Sequence, residues 1–190
     1  MTTNNIFSRI VSLVSIILIL SACSGASSFH AVPIDPITPA AEIELLDHKG
    51  QLFRLSDMHG KVVLLFFGFT NCVDECPLTM AHLKLALEQL GDDARDVQVV
   101  LVSTDPVRDT PSAMGKFLGH FNPTFLGIPG TDEQLAPVWD QYEIAVMDGG
   151  VTHSSFTYAV DKAGNLRLKI DSESNPDEIA ADLRILLAEQ

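Results

Sequence analysis

Cysteine, tryptophan and basic residues are all scarce in this sequence. Its 190 residues include 3 cysteines, too few for the disulfide framework of a small secreted domain. Because 12 Lys and Arg stand against 25 Asp and Glu, no basic face can neutralise phosphates, and we expect no nucleic-acid partner. No apolar run reaches the roughly 18 residues that a membrane-spanning helix needs, and no internal repeat is present.

The first 22 residues have the layout of a secretory signal. Residues 10–20 form an apolar run that follows Arg9 and precedes small residues. Extended to Cys23, the run covers about 14 residues, which is short for a membrane span. We therefore interpret residues 1–22 as a lipoprotein signal peptide.

Cys23 closes a short motif, Leu-Ser-Ala-Cys, that resembles a bacterial lipobox. The resemblance implies a lipidated Cys23 that anchors an extracytoplasmic domain to the bacterial cell membrane, with an uncleaved anchor as the alternative. Two acyl chains anchor stably where one binds only marginally. Residues 24–41 contain three prolines and no helix or strand period, so residues 23–41 are interpreted as the lipidated cysteine with a flexible linker.

The remaining residues, 42–190, form one domain with alternating strand and helix patterns. Continuous apolar runs predict buried strands, and proline and glycine mark helix starts and stops. The predicted elements are an opening hairpin (42–46 and 51–55), buried strands (62–67 and 97–103), a second hairpin (156–160 and 166–170) and helices (77–90, 111–118, 132–142 and 176–189). This order predicts an α/β fold with a central mixed sheet flanked by helices.

Cys72 and Cys76 are the only thiols left to the domain if Cys23 is lipidated. They follow a predicted buried strand and lie at a helix start, four residues apart, so both sulfurs can face the same point. Amide groups at the helix start should lower the thiol pKa values. Such a pair either exchanges disulfides or binds a soft metal, and a structural disulfide closing so short a loop would add little stability.

A third metal ligand would have to come from elsewhere in the chain. His82 is six residues beyond Cys76, which places it on another side of the helix. His153 lies on a glycine-rich connection directly before the predicted strand at 156–160, where a loop can bring an imidazole to the end of the sheet. His153 is the candidate.

Three segments together resemble the SCO/SenC family: GFTNCVDECPLTM, VSTDPVRDTP and VTHSSFTYAVDKAGNL. The resemblance covers residues 42–188 and implies a thioredoxin-like fold. It also implies that Cys72, Cys76 and His153 bind copper, as Cu(I) or Cu(II). Proteins of this family assist assembly of the copper centre of cytochrome c oxidase, by delivering copper or by reducing the receiving cysteines.

The resemblance further implies a metallochaperone that is a monomeric domain. Its partner would be cytochrome c oxidase subunit II or another copper-receiving protein. The sequence departs from the family pattern at Val73, where proline is common, and at Thr152, where an acidic residue is common. Asp105 and Arg108 match the family motif, and for them a turn-stabilising role is favoured over direct chemistry.

Other functions remain open from the residues alone. The main alternative is a thiol:disulfide oxidoreductase that uses Cys72 and Cys76 without metal. A peroxidase would need a basic group beside the attacking thiol, whereas the neighbouring charges, Asp74 and Glu75, are acidic. A module that only docks a partner would not need its cysteines.

Overall fold

A six-stranded sheet organises the computed structural model, which describes residues 28–146 and 156–189. The strands in chain order are β1 (Val32–Pro39), β2 (Glu44–Leu46), β3 (Leu52–Arg54), β4 (Val62–Gly68), β5 (Val97–Ser103), β6 (Leu126–Ile128), β7 (Phe156–Val160) and β8 (Asn165–Asp171). The helices are α1 (Glu75–Leu90), α2 (Pro111–Gly119), α3 (Asp132–Gln141) and α4 (Pro176–Ala188). Two short 3-10 helices lie at Leu55–Met58 and Gly91–Asp96.

The sheet is mixed, as predicted. Its strand order is β1-β8-β7-β4-β5-β6. Strands β4, β5 and β6 are parallel, whereas β7, β8 and β1 each pair antiparallel with their neighbours. Strands β2 and β3 form the predicted opening hairpin as a separate ladder.

Strand β4 is buried along its whole length because both faces of the sheet are covered. Alternate side chains point to opposite faces. Phe66 lies in the apolar cluster with α1, α2 and α4, and Phe67 lies in the other, with α3 and the β2–β3 hairpin. Both rings therefore belong to the core.

The flexible linker predicted over residues 24–41 is wrong for Val32–Pro39, which forms β1 and pairs with β8. Its prolines are tolerated because an edge strand has a partner on one side only. The ladder also shifts between Pro33 and Thr38, which frees the residues between them from pairing. The folded domain therefore begins before residue 42; residues 24–27 lie outside the described residues.

A buried carboxylate holds the start of this segment. Asp182 on α4 is 1% exposed, and its two oxygens accept the backbone N–H groups of His30 and Ala31, each at 2.8 Å. Charge-assisted bonds of this kind satisfy donors that would otherwise be orphaned beside the core. Asp182 thus fastens the N-terminal segment to the last helix.

We expect Asp182→Ala to lower the free energy of unfolding by about 2 to 3 kcal/mol, because two backbone donors lose their acceptors. Chemical denaturation of the full chain measures the change. Glu173→Ala removes an exposed carboxylate and should change stability by less than about 0.5 kcal/mol. Equal stability of the Asp182 variant and the wild type would contradict the fastening role.

Pro77 and Pro137 both lie inside helices. Pro77 is in the first turn of α1, where its missing N–H would have no helical partner. Pro137 is internal to α3, which nevertheless spans Asp132–Gln141, close to its predicted bounds. Strand β6 was not predicted, since three residues carry too little periodicity. No helix in the described part of the chain is long and apolar enough to span a bilayer.

Candidate metal centre

The two cysteines lie where the central strand reaches the carboxyl edge of the sheet. After β4 ends at Gly68, a short turn leads through Cys72 into α1. The turn is tied to the neighbouring loop between β5 and α2, because the backbone N–H of Thr104 donates to the carbonyl of Gly68 at 2.9 Å. Parallel strands β4 and β5 thus bring both loops to one edge.

The two thiols are free and adjacent. Cys72 lies in the turn and is partly buried, whereas Cys76, the second residue of α1, is 5% exposed. The backbone N–H of Cys76 donates to the sulfur of Cys72 at 3.4 Å. The spacing therefore does bring the sulfurs to one place, with Cys72 as the outer thiol and Cys76 as the inner one.

The expectation that the helix start acidifies both thiols is wrong for Cys76. Burial raises the pKa of the Cys76 thiol well above its ordinary value, and the neighbouring Cys72 raises it further, while a hydrogen bond with the Phe69 backbone opposes the shift. The apolar surroundings of Cys76 therefore disfavour the charged thiolate. A cation that binds this sulfur must therefore displace its proton.

Gly68 gives the inner sulfur its space. A Cβ at this position would lie 2.6 Å from Cε1 of Phe66 and 3.0 Å from Sγ of Cys76. Both distances are shorter than ordinary contacts, and the Phe66 ring is itself held in the core. A side chain here would push the thiol or the ring out of position.

Gly68→Ala should therefore destabilise the protein by about 1 to 3 kcal/mol, the usual cost of overpacking, and should change the reactivity of Cys76 towards a thiol reagent. Thermal unfolding and the rate of thiol labelling report the two effects. Gly119→Ala is the matched control, because a Cβ at Gly119 meets nothing within 4 Å. If both alanine variants behave alike, the close approach at Gly68 has no consequence.

Asp109 joins the cysteine turn to the end of β5. Its carboxylate is 2% exposed and accepts from the backbone N–H of Thr70 at 2.9 Å and from the Thr70 hydroxyl at 2.7 Å. Its second oxygen accepts from the Ser103 hydroxyl at 2.6 Å. One buried carboxylate thereby fixes the turn two residues before Cys72.

A comparison with protein families gives a match over most of the chain. The model described as SCO1/SenC matches residues 35–188. The chain belongs to the SCO1/SenC family. Among curated SCO proteins it is 32% identical over 159 residues to an SCO2-like protein of Rickettsia felis, covering 79% of this chain and 78% of that protein.

Solved structures of SCO proteins share the fold. The chain matches Bradyrhizobium japonicum ScoI, solved with copper bound, at 30% identity and a TM-score of 0.68, covering 79% of this chain and 100% of that one. It matches apo Sco1 of Thermus thermophilus at 32% identity and a TM-score of 0.75, covering 86% and 100%. The predicted thioredoxin-like fold is confirmed.

Two of the predicted site residues, the copper ligand His153 and the lipidated Cys23, lie outside the described residues. Within residues 28–146 and 156–189 no three His, Cys, Asp or Glu side chains are grouped as a metal site. Two other histidines have backbone partners: Nδ1 of His82 lies 3.0 Å from the carbonyl of Ser174, and Nδ1 of His48 accepts the N–H of Gly127 at 3.0 Å.

Asp105 and Arg108, from the second SCO/SenC motif, stabilise a turn, as favoured from the sequence. Their side chains form an ion pair, and the backbone N–H of Arg108 donates to the Asp105 carbonyl at 3.2 Å. The Arg108 guanidinium also lies over the Phe69 ring, 5.7 Å from its centroid. Trp139 packs in the cluster with Phe67, and its ring N–H donates to the Ser103 carbonyl at 2.9 Å.

Sequence reasoning missed Asp109. It stands in VSTDPVRDTP beside the two residues that were singled out, and nothing in local periodicity distinguishes its carboxylate from that of Asp105. Its role depends on the parallel pairing of β4 and β5, which places Thr70 beside it. An acidic residue in the loop after a predicted buried strand is the signal that the sequence offers, and Asp105 shares it.

Proposed function

We propose that this chain is an extracytoplasmic copper-binding protein that acts in assembly of the copper centre of cytochrome c oxidase. The observation that carries the proposal is the pair of free thiols, Cys72 and Cys76, held together at the carboxyl edge of the sheet. Two sulfurs at one point, one partly exposed and one buried, can accept a soft metal ion and release it again.

Copper fits the donors that the chain offers. Thiolates are soft ligands that select Cu(I), and an imidazole adds competence for Cu(II). We assign Cys72, Cys76 and His153 as the three ligands, with His153 contributed by the segment before β7. The solved ScoI of Bradyrhizobium japonicum, 30% identical to this chain, contains copper, which supports the choice of metal.

The thiols and the residues beneath them have separate roles. Cys72, the outer thiol, is the sulfur that an arriving or departing ion meets first. Cys76 binds from inside the apolar cluster, where water is excluded. Asp109 holds the backbone at Thr70 and so fixes the position from which Cys72 extends. The copper ion is the cargo, and the protein supplies a preformed dithiol.

A lipid on Cys23 would hold the domain close to the bacterial cell membrane. Because Asp182 fastens His30 and Ala31 to the domain, six residues, 24–29, separate the anchor from the fastened segment. This stretch reaches at most about 25 Å. This tether is less than half the length that a linker ending at residue 41 would give. We assign the mature protein to the outer face of that membrane, as a monomeric domain.

Cytochrome c oxidase subunit II, or another copper-receiving protein, is the proposed partner. Delivery of copper and reduction of the partner's cysteines both use the same two sulfurs. The second candidate function, metal-free thiol:disulfide exchange, is favoured by the exposure difference between the thiols. Cys72 would attack and Cys76, adjacent to it, would resolve the mixed disulfide.

The test has two parts. Reduced full chain in detergent, titrated with Cu(I) against a competing chelator, should bind one copper ion. In cells lacking the gene, the wild type should restore oxidase activity, and a Cys72→Ser, Cys76→Ser double variant should not. Restoration by the double variant would refute the proposal.

The same cells distinguish the two candidate functions. Copper delivery predicts that His153→Ala reduces oxidase activity while insulin reduction by the purified chain is unchanged. Metal-free exchange predicts that His153→Ala leaves both activities as in the wild type.

A further inference from the structure

Two valines beside the cysteine turn are almost fully exposed. Val73 is 85% exposed and Val107 is 83% exposed, the highest values among the large apolar side chains of the described residues. Single exposed apolar residues are ordinary on protein surfaces. These two are notable because one follows Cys72 directly and the other lies on the loop that supports the cysteine turn.

The two loops form one platform. They are joined by the bonds from Thr70 to Asp109, by the bond from Thr104 to Gly68 and by the stacking of Arg108 on Phe69. Val107 precedes Arg108 in the chain, so its position is set by the same contacts. Because these hydrogen bonds and the cation–π contact join the two loops, the exposed side chains of the platform have a defined arrangement.

The platform is acidic. Residues 69–75 and 104–110 carry four carboxylates, those of Asp74, Glu75, Asp105 and Asp109, against the single guanidinium of Arg108. Asp105 is paired with Arg108 and Asp109 is buried. Asp74 and Glu75 are both exposed, and the carboxylate of Asp74 adds negative charge to the surface beside Cys72.

Access to the dithiol determines what must touch this platform. Cys76 is 5% exposed, so an acceptor ligand has to reach the sulfur of Cys72. Val73 follows Cys72 in the turn and is 85% exposed. We therefore expect a protein that brings a thiol or an imidazole within bonding distance of Cys72 to meet Val73 as well.

We propose that Val73, Asp74, Glu75 and Val107 form a docking rim for the copper-receiving protein. The inference rests on the proposed function and specifies the partner's face: an apolar contact bordered by Lys and Arg. Apolar centres supply affinity at interfaces, and complementary charge speeds and orients encounter. Pro106, the residue before Val107, lines a groove of about 400 Å³ whose lining also includes Leu45 and Leu46.

The experiment measures the affinity of the full chain in detergent for purified, metal-free cytochrome c oxidase subunit II, by surface plasmon resonance. Val73→Ser and Val107→Ser should each weaken binding by about tenfold, because each removes apolar area that the complex buries. Ile37→Ser is the control: Ile37 is 55% exposed on β1, and its neighbour Thr38 is level with the start of β4, at the opposite edge of the sheet. This variant should bind as the wild type does. Affinity should fall with rising salt.

A copper-transfer assay distinguishes a defect in docking from a defect in metal binding. Loaded chain should transfer copper to subunit II about tenfold more slowly in either rim variant at limiting acceptor concentration. Removal of copper by a small chelator should proceed at the wild-type rate, since a chelator needs no rim. Rim variants that bind subunit II as tightly as the wild type would overturn the proposal, as would equal slowing of chelator and protein transfer.

The affinity measurement requires no copper on either protein, so it tests the rim even if the chain fails to bind copper. Failure to bind copper would refute the proposed function, whereas an unchanged affinity in the valine variants would refute the rim. Affinity that does not depend on salt would contradict the assignment of Asp74 and Glu75 to the rim.

Discussion

Replacing Cys76 with serine should lower the affinity of the chain for Cu(I) by about a thousandfold or more, equivalent to about 4 kcal/mol. The hydroxyl of serine is a hard, neutral donor that does not replace a thiolate in binding soft Cu(I). Cys76 is the inner sulfur, 5% exposed and packed in the apolar cluster with Phe66. Its loss leaves copper with one sulfur, on the exposed side.

The measurement is competition against a chelator of known affinity, under reducing conditions, with the full chain. Serine is smaller and more polar than cysteine, so thermal unfolding of the metal-free variant checks that the fold persists. Cys72→Ser should cause a comparable loss, although its hydroxyl can still accept the Cys76 N–H. Wild-type affinity in either serine variant would show that copper does not bind at this pair.

Asp109→Ala should lower the free energy of unfolding by about 3 kcal/mol and weaken copper binding by about tenfold. Three donors lose a charged acceptor, and bonds to charged groups contribute about 1.5 to 3 kcal/mol each. The net effect is smaller than their sum because Thr70 is partly exposed and water can reach it. The copper effect arises because Thr70 stands two residues before Cys72.

Asp109→Asn tests whether Asp109 positions the cysteine turn or only contributes to the stability of the fold. An asparagine oxygen can still accept from Thr70, and its amide can donate to the Ser103 hydroxyl, so most of the copper affinity should return. Asp140→Ala, an exposed carboxylate on α3, is the surface control and should match the wild type in both assays. If Asp109→Ala loses stability but binds copper normally, then Asp109 does not position the cysteine turn.

The sequence alone predicted the positions of those strands and helices that have a strong local residue pattern. The apolar run of β4, the apolar run of β5 and the proline at the start of α2 each carry a complete signal, so those elements lie where they were predicted. The cysteine pair was also found, because spacing along a helix start is a local property. Its free, adjacent thiols agree with that reasoning.

The sequence was insufficient where tertiary contacts decide the structure. Strand β1 is almost wholly exposed and shows no alternation, so only its pairing with β8 and its attachment to Asp182 reveal it. The pKa of Cys76 depends on how deeply the first turn of α1 is buried, which spacing does not reveal. Asp109 acts on a residue 39 positions away, and one sequence alone does not show such a pairing.

X-ray absorption at the copper edge, on copper-loaded full chain, tests the three-ligand site most directly. We expect two sulfur neighbours and at least one imidazole nitrogen in the wild type. His153→Ala should keep both sulfurs and lose the imidazole signal, while His120→Ala, at an exposed position, should give the wild-type spectrum. An imidazole signal that survives in the His153 variant, or a wild-type site with fewer than two sulfurs, would contradict the account.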